Sequence, residues 1–180
     1  MLIAIHQPNF CPWMPYFEKM AQADIFVLLT QCQFEKNGFQ NRCKVNGKWW
    51  TNPVVSGLTP IVSKHYTDGQ SLLELNTFWI ITLAKTLGID IGKIKQDFPT
   101  DKKGTDRIIE ICKHYKADEY LTNPEAISKY LDEKKLNDNG IRIVPFKSTT
   151  DKHVFELFGE IGIEQTRKML CKTSNSFSAS

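Results

Sequence analysis

The sequence has no long apolar run. Nothing in its 180 residues approaches the roughly 18 consecutive apolar residues of a membrane-spanning helix, which excludes a transmembrane helix. It also lacks an excess of either charge. Against 23 Lys and Arg stand 20 Asp and Glu, a formal net charge of +3. That is too weak to mark a nucleic-acid binder, so no nucleic-acid partner is expected. The cysteines are odd in number. Cys11, Cys32, Cys43, Cys112 and Cys171 include no CxxC pair, so neither a disulfide framework nor a zinc site is signalled. His6, His65, His114 and His153 are dispersed and form no HExxH, so no catalytic metal is expected. GxGxxG, GxxxxGK[ST] and GxSxG are missing too. The sequence therefore names no cofactor. The opening run from Met1 to Pro8 lacks a basic region and a cleavage motif. No signal peptide is expected, and the expected location is cytoplasmic, with reduced thiols.

What is present is a globular chain. Hydrophobic residues are 41% of a 20.7 kDa protein, enough to bury a core. One domain is expected over residues 1–172, with a flexible, Ser-rich tail at 173–180. Ile3-Ala4-Ile5 reads as a buried strand, stopped by a loop containing Pro8 and Pro12. A helix follows to about Ala23, and Ile25–Leu29 is a second strand. This is a βαβ unit. Asn46-Gly47 between β-rich runs predicts a hairpin. Its pairing puts Cys43, Val45, Lys48 and Trp50 on one face, and Arg42, Lys44, Trp49 and Thr51 on the other. Gly57 to Gly69 reads as a loop. Leu72, Leu75, Trp79, Leu83 and Leu87 make a helical stripe ending at Gly88. A weak strand at 92–95, a helix from about Thr105 and a short strand at 119–122 come next. Then follow a helix capped by Asn123 and opened by Pro124, a strand at 141–146 and two terminal helices. The fold class expected is α/β: a mostly parallel sheet of βαβ units with an inserted β-hairpin and C-terminal helices.

In open α/β sheets ligands bind beyond the carboxyl ends of the strands. His6, Gln7, Asn9 and Cys11 are crowded into the stiff loop at that place, and they are the catalytic candidates. His6 can act as a general acid or base, while Gln7 and Asn9 can donate hydrogen bonds. Cys11 is a possible nucleophile beside His6, though cysteine is also a common core residue. The hairpin region supplies the substrate-binding candidates Gln33, Lys36, Asn41, Arg42 and Trp49, for a phosphate or carboxylate and a stacked ring. A solvated hairpin with one tryptophan in the core accounts for the same residues. Lys102 to Arg107 reads as a plain helix start.

These segments resemble a known family. Ile3-Ala4-Ile5-His6-Gln7-Pro8-Asn9-Phe10-Cys11-Pro12-Trp13, followed by Tyr16-Phe17 and Asp24-Ile25-Phe26-Val27, is similar to the IAIHQPNYxPWxGYF opening of the WbqC-like family. Gln33-Phe34, Lys36, Asn41-Arg42, Lys44-Val45, Trp50-Thr51 and Pro53-Val54 resemble its VQYxK…NRNKI…WLTVPV segment, and the likeness continues through residues 104–170. The resemblance implies a sugar-modifying transferase of bacterial O-antigen or surface-polysaccharide biosynthesis. Acyl or aminoacyl transfer to an amino sugar is its expected chemistry. It also implies site residues at His6, Gln7, Asn9, Gln33, Lys36, Asn41 and Arg42. The expected partner is a small-molecule sugar or sugar nucleotide, and a sheet edge or the hairpin offers a homodimer surface. Two departures stand out. The family's paired aspartates in LDDVQ are replaced here by Leu29-Thr30-Gln31-Cys32-Gln33, and Phe146 to Lys152 is short and polar. Two alternatives stay open. One is a nucleotidyltransferase-like enzyme, although HxGH is missing. The other is a non-catalytic docking subunit of a biosynthetic complex.

Overall fold

Short β-rich runs bounded by turn residues become strands here, and periodic apolar stretches become helices. The order is β1 (Leu2–His6), α1 (Met14–Gln22), β2 (Ile25–Leu28), β3 (Arg42–Val45), β4 (Lys48–Thr51), α2 (Leu72–Thr86), β5 (Ile94–Gln96), α3 (Gly104–His114), β6 (Glu119–Thr122), α4 (Pro124–Tyr130), α5 (Glu133–Asp138), β7 (Arg142–Pro145), α6 (Val154–Ile161) and α7 (Ile163–Asn175). The structure, a computed structural model, describes residues 1–55, 61, 64–65 and 69–175, the last five by backbone alone. Most of the expected loop at 57–69, the side chain of Cys171 and the tail at 176–180 lie outside the described residues.

The main sheet has the order β5-β2-β1-β6-β7, and all four of its pairings are parallel. The strand order therefore reverses between β1 and β6, which makes that junction the topological switch point. The expected α/β class is the observed one, and β3 and β4 form a separate antiparallel hairpin. Its register pairs Cys43 with Trp50 and Val45 with Lys48, the faces that the Asn-Gly turn predicts. Asn46 and Gly47 both take positive φ, 48° and 73°, as a primed two-residue turn requires.

Alternate residues of β1 feed two cores. Ile3 and Ile5 pack with Val27, Ile111, Cys112 and Leu136 on the α3–α5 side. Ala4 packs with Phe17, Phe26, Ile80, Leu157 and the hairpin's Cys43 on the opposite side. Complete burial of a side chain such as Phe17 or Ile111 contributes about 1.5–3 kcal/mol.

Four local features differ from expectation. The inner face of α2 runs through Leu72, Asn76, Ile80 and Leu83, not through Leu75 and Trp79. Asn76 is fully buried because its Nδ2 donates to Pro8 O and Gln40 O, each at 2.7 Å. A stripe counted from apolar residues alone misses it. Helix α5 has the single buried residue Leu136, too little to give a periodic signal. Asn123 takes the N-cap position of α4 but makes no side-chain cap bond. Neither hairpin tryptophan is in the core: Trp49 is 48% exposed and Trp50 54%.

Candidate functional site

The loop after β1 divides two cavities. It is held from three sides. Asn76 donates to Pro8 O, Phe10 N–H donates to Phe39 O at 2.9 Å, and His153 Nε2 bonds Cys11 O at 2.7 Å. His6, the last residue of β1, and Gln7, the first of the loop, line a cleft of about 630 Å³ at the switch point, together with Lys19, Arg107 and Thr122. Later residues of the loop, Asn9 and Cys11 among them, line a pocket of about 380 Å³ against the hairpin, with Trp49 and His153.

Burial dominates the electrostatics of the switch-point cleft. It pushes the His6 imidazole down to about 3, with the Lys19 charge adding to the effect. His6 is therefore neutral near pH 7. Its Nδ1 faces the Gln7 carbonyl at 3.1 Å. A carbonyl only accepts, so Nδ1 carries the proton and Nε2 keeps its lone pair. Tyr16 Oη donates to the same carbonyl at 3.2 Å, and the Tyr16 ring meets the imidazole edge-on. Burial also pushes the Lys19 ammonium down to about 8. Lys19 is 5% exposed, and its Nζ lies 5.2 Å from the centre of the Phe146 ring.

Arg107 enters the cleft on a brace. It pairs with the carboxylate of Asp97, whose side chain is wholly buried. The same carboxylate accepts from Thr30 N at 2.7 Å, Thr30 Oγ1 at 2.8 Å and Gln31 N at 3.2 Å. The segment after β5 thus brings a carboxylate to the end of β2. With its oxygens so occupied, Asp97 fixes the guanidinium in place.

The second pocket has softer chemistry. One donor atom each from Cys11, Cys43 and His153 lie within 4.8 Å of one another, and all three residues are buried. The Cys11 S–H bonds the Cys43 sulfur. That pulls Cys43 below the ordinary thiol range, and the same contact, with burial, pushes Cys11 up. Cys11 itself adopts φ +43°, a strained backbone for a side chain without amide or carboxylate. The pocket mouth carries a partly exposed aromatic row. Trp13 stacks on Phe39 at 6.1 Å, and Phe39 leans on Trp49 at 5.8 Å. The Arg42 guanidinium lies 4.2 Å from the centre of the Trp49 ring.

The fold brings His6 and Gln7 together, and separates them from Asn9 and Cys11. Arg42 lines neither cavity, and it donates to Asn37 O. Asn41 is buried and donates to Asn52 O at 2.9 Å, joining the strands of the hairpin. Gln33 and Lys36 are exposed and line neither cavity. Lys19, Asp97, Arg107, Cys43 and His153 were not picked out by sequence pattern. Arg107 carried one hint, its place at a helix start. The others converge only through packing, and no spacing announces them.

Comparison with known proteins follows the same lines. The sequence profile of the WbqC-like protein family matches residues 7–58 and 51–156. A Mycobacterium tuberculosis protein described as uncharacterized protein Rv1507c is 24% identical over 203 aligned positions, which cover 87% of each chain. No solved structure matches.

Proposed function

Because this chain belongs to the WbqC-like protein family, we propose that it is a sugar-modifying transferase working at the switch-point cleft. It moves an acyl or aminoacyl group onto the amine of an amino sugar in bacterial O-antigen or surface-polysaccharide biosynthesis. One observation carries this reading. The cleft holds a neutral imidazole, an amine with a lowered pKa and a braced guanidinium around the carboxyl end of β1.

In the proposed step the sugar amine attacks the carbonyl carbon of an activated acyl donor. The carbon–nitrogen bond forms and the bond to the donor's leaving group breaks. The surplus proton of the amine passes to Lys19 Nζ. With its pKa near 8, Lys19 is neutral in roughly one-tenth of molecules at pH 7. His6 Nε2 accepts a hydrogen bond from the sugar and orients it. The Gln7 side-chain amide donates to the developing oxyanion. Arg107 holds a phosphate of donor or acceptor.

The test is a transfer assay with amino-sugar nucleotides and acyl or aminoacyl donors. Lys19→Met and His6→Ala should each lower turnover by at least about a hundredfold. Arg107→Ala should act chiefly on KM. Unchanged turnover in both Lys19→Met and His6→Ala would remove this cleft from the chemistry. The docking role has one observation in its favour, the exposed row of Trp13, Phe39 and Trp49. A stable complex with another biosynthetic enzyme, lost in Trp49→Ala and without small-molecule binding, would support it instead.

A further inference from the structure

The pocket against the hairpin is chemically unlike the cleft and takes no part in the step above. Its floor gathers two thiols and an imidazole from three distant stretches of chain: the loop after β1, strand β3 and the residue before α6. We propose that Cys11, Cys43 and His153 form a binding site for a zinc-class divalent cation, with one coordination position open toward the pocket.

Geometry supports this first. The three donor atoms lie within 4.8 Å of one another. A tetrahedral ion with metal–sulfur bonds of about 2.3 Å and a metal–nitrogen bond of about 2.0 Å needs its donors about 3.5–3.8 Å apart. Side-chain adjustment of about an ångström closes the set around an ion. Charge balance supports it next. Two thiolates and a neutral imidazole around a divalent cation sum to zero, so a buried site carries no net charge to desolvate. The donor set also selects the ion. Thiolate and imidazole favour zinc and its neighbours over magnesium or calcium, which take oxygen ligands.

His153 is already held in orientation. Its Nε2–H donates to Cys11 O at 2.7 Å, and its Nδ1 accepts from Phe155 N–H at 3.2 Å. The ion takes one nitrogen and the ring keeps the other bond, the usual outer support of a metal-bound histidine. Nearby Glu156 is committed elsewhere. Its carboxylate accepts from the backbone N–H groups of His153 and Asn46. No carboxylate joins the donor group among the described residues. Three protein ligands leave the fourth position to water or to a ligand in the pocket, beneath Trp13 and Trp49.

The experiment uses Co²⁺ as the probe on the full chain, reduced and freed of metal. One equivalent should produce thiolate-to-cobalt charge-transfer absorption and the visible bands of a tetrahedral site. Zn²⁺ should displace it and raise the unfolding midpoint. Cys43→Ser and Cys11→Ser should each weaken binding by at least about a hundredfold. His153→Asn keeps a good N-cap for α6 but should also lose the tetrahedral spectrum. Cys32→Ser should leave the spectrum unchanged. Far-ultraviolet circular dichroism establishes that each variant is folded, and Cys11→Ala and Cys43→Ala replace any serine variant that is not. Reduced, folded wild type that takes up no Co²⁺ would overturn the site. So would a charge-transfer band that persists when Cys43 is replaced, since the ion would then sit elsewhere.

Discussion

His6 and Lys19 share one end of the switch-point cleft, and burial works against the charge of each. For His6 the consequence for stability has a definite sign. In the unfolded chain it takes a proton from about 6.5 downward, and in the folded chain only near 3. Between those values the unfolded state binds more protons, so stability falls as pH falls. The full contribution is present above about 6.5. The expected loss by pH 3 is on the order of a few kcal/mol. His6→Gln should flatten this acid limb in a series of unfolding midpoints measured against pH. Lys19 contributes part of the effect by charge. Lys19→Met should therefore raise the His6 value, read from the imidazole resonances in an NMR titration. A histidine titration that stays put in Lys19→Met would show that burial alone sets it.

At the scale of elements, buried polar side chains do the joining. Asn76 ties α2 to the loop after β1 and to the segment entering the hairpin. Asn76→Ala leaves the Pro8 and Gln40 carbonyls without that donor, so denaturant titration should show a loss of about 2–4 kcal/mol. Asp97 joins the end of β2 to α3 through Thr30, Gln31 and Arg107. Asp97→Ala strands the Arg107 charge and removes the acceptor for two backbone N–H groups. The expected cost is about 3–5 kcal/mol by the same measurement. The short polar stretch at 146–152 acts likewise. Ser148 and Thr149 turn back to bond the buried Glu18 of α1, and the Phe146 ring lies against Lys19 of the same helix, so this stretch closes over α1.

For the whole molecule, β1 is the shared wall. Ile3 and Ile5 belong to one core and Ala4 to the other, so neither core survives loss of the strand. The expected outcome is one cooperative unfolding transition, with coincident curves from tryptophan fluorescence and far-ultraviolet circular dichroism. An earlier fluorescence transition would mark the tryptophan-bearing hairpin as a separate unit.

The sequence by itself determined the fold class and the elements other than α5, whose single buried residue gives no period. Alternation, helical spacing and turn chemistry are local, and each is written within about ten residues. That is why the Asn46-Gly47 hairpin, its register and the parallel βαβ units were legible. It determined, too, that His6 and Gln7 would stand at the end of the first strand. Only the tertiary structure decided which side chains meet. It put Asn9 and Cys11 in a different cavity from His6, because the loop turns about anchors supplied by Asn76, Phe39 and His153. It set Asp97 against Thr30 and Gln31. It buried Lys19 and gathered Cys11, Cys43 and His153. These meetings depend on how α1, the hairpin and α6 pack on one face of the sheet and α3 on the other. That packing is the sum of many weak apolar contacts, and no short stretch of sequence records it.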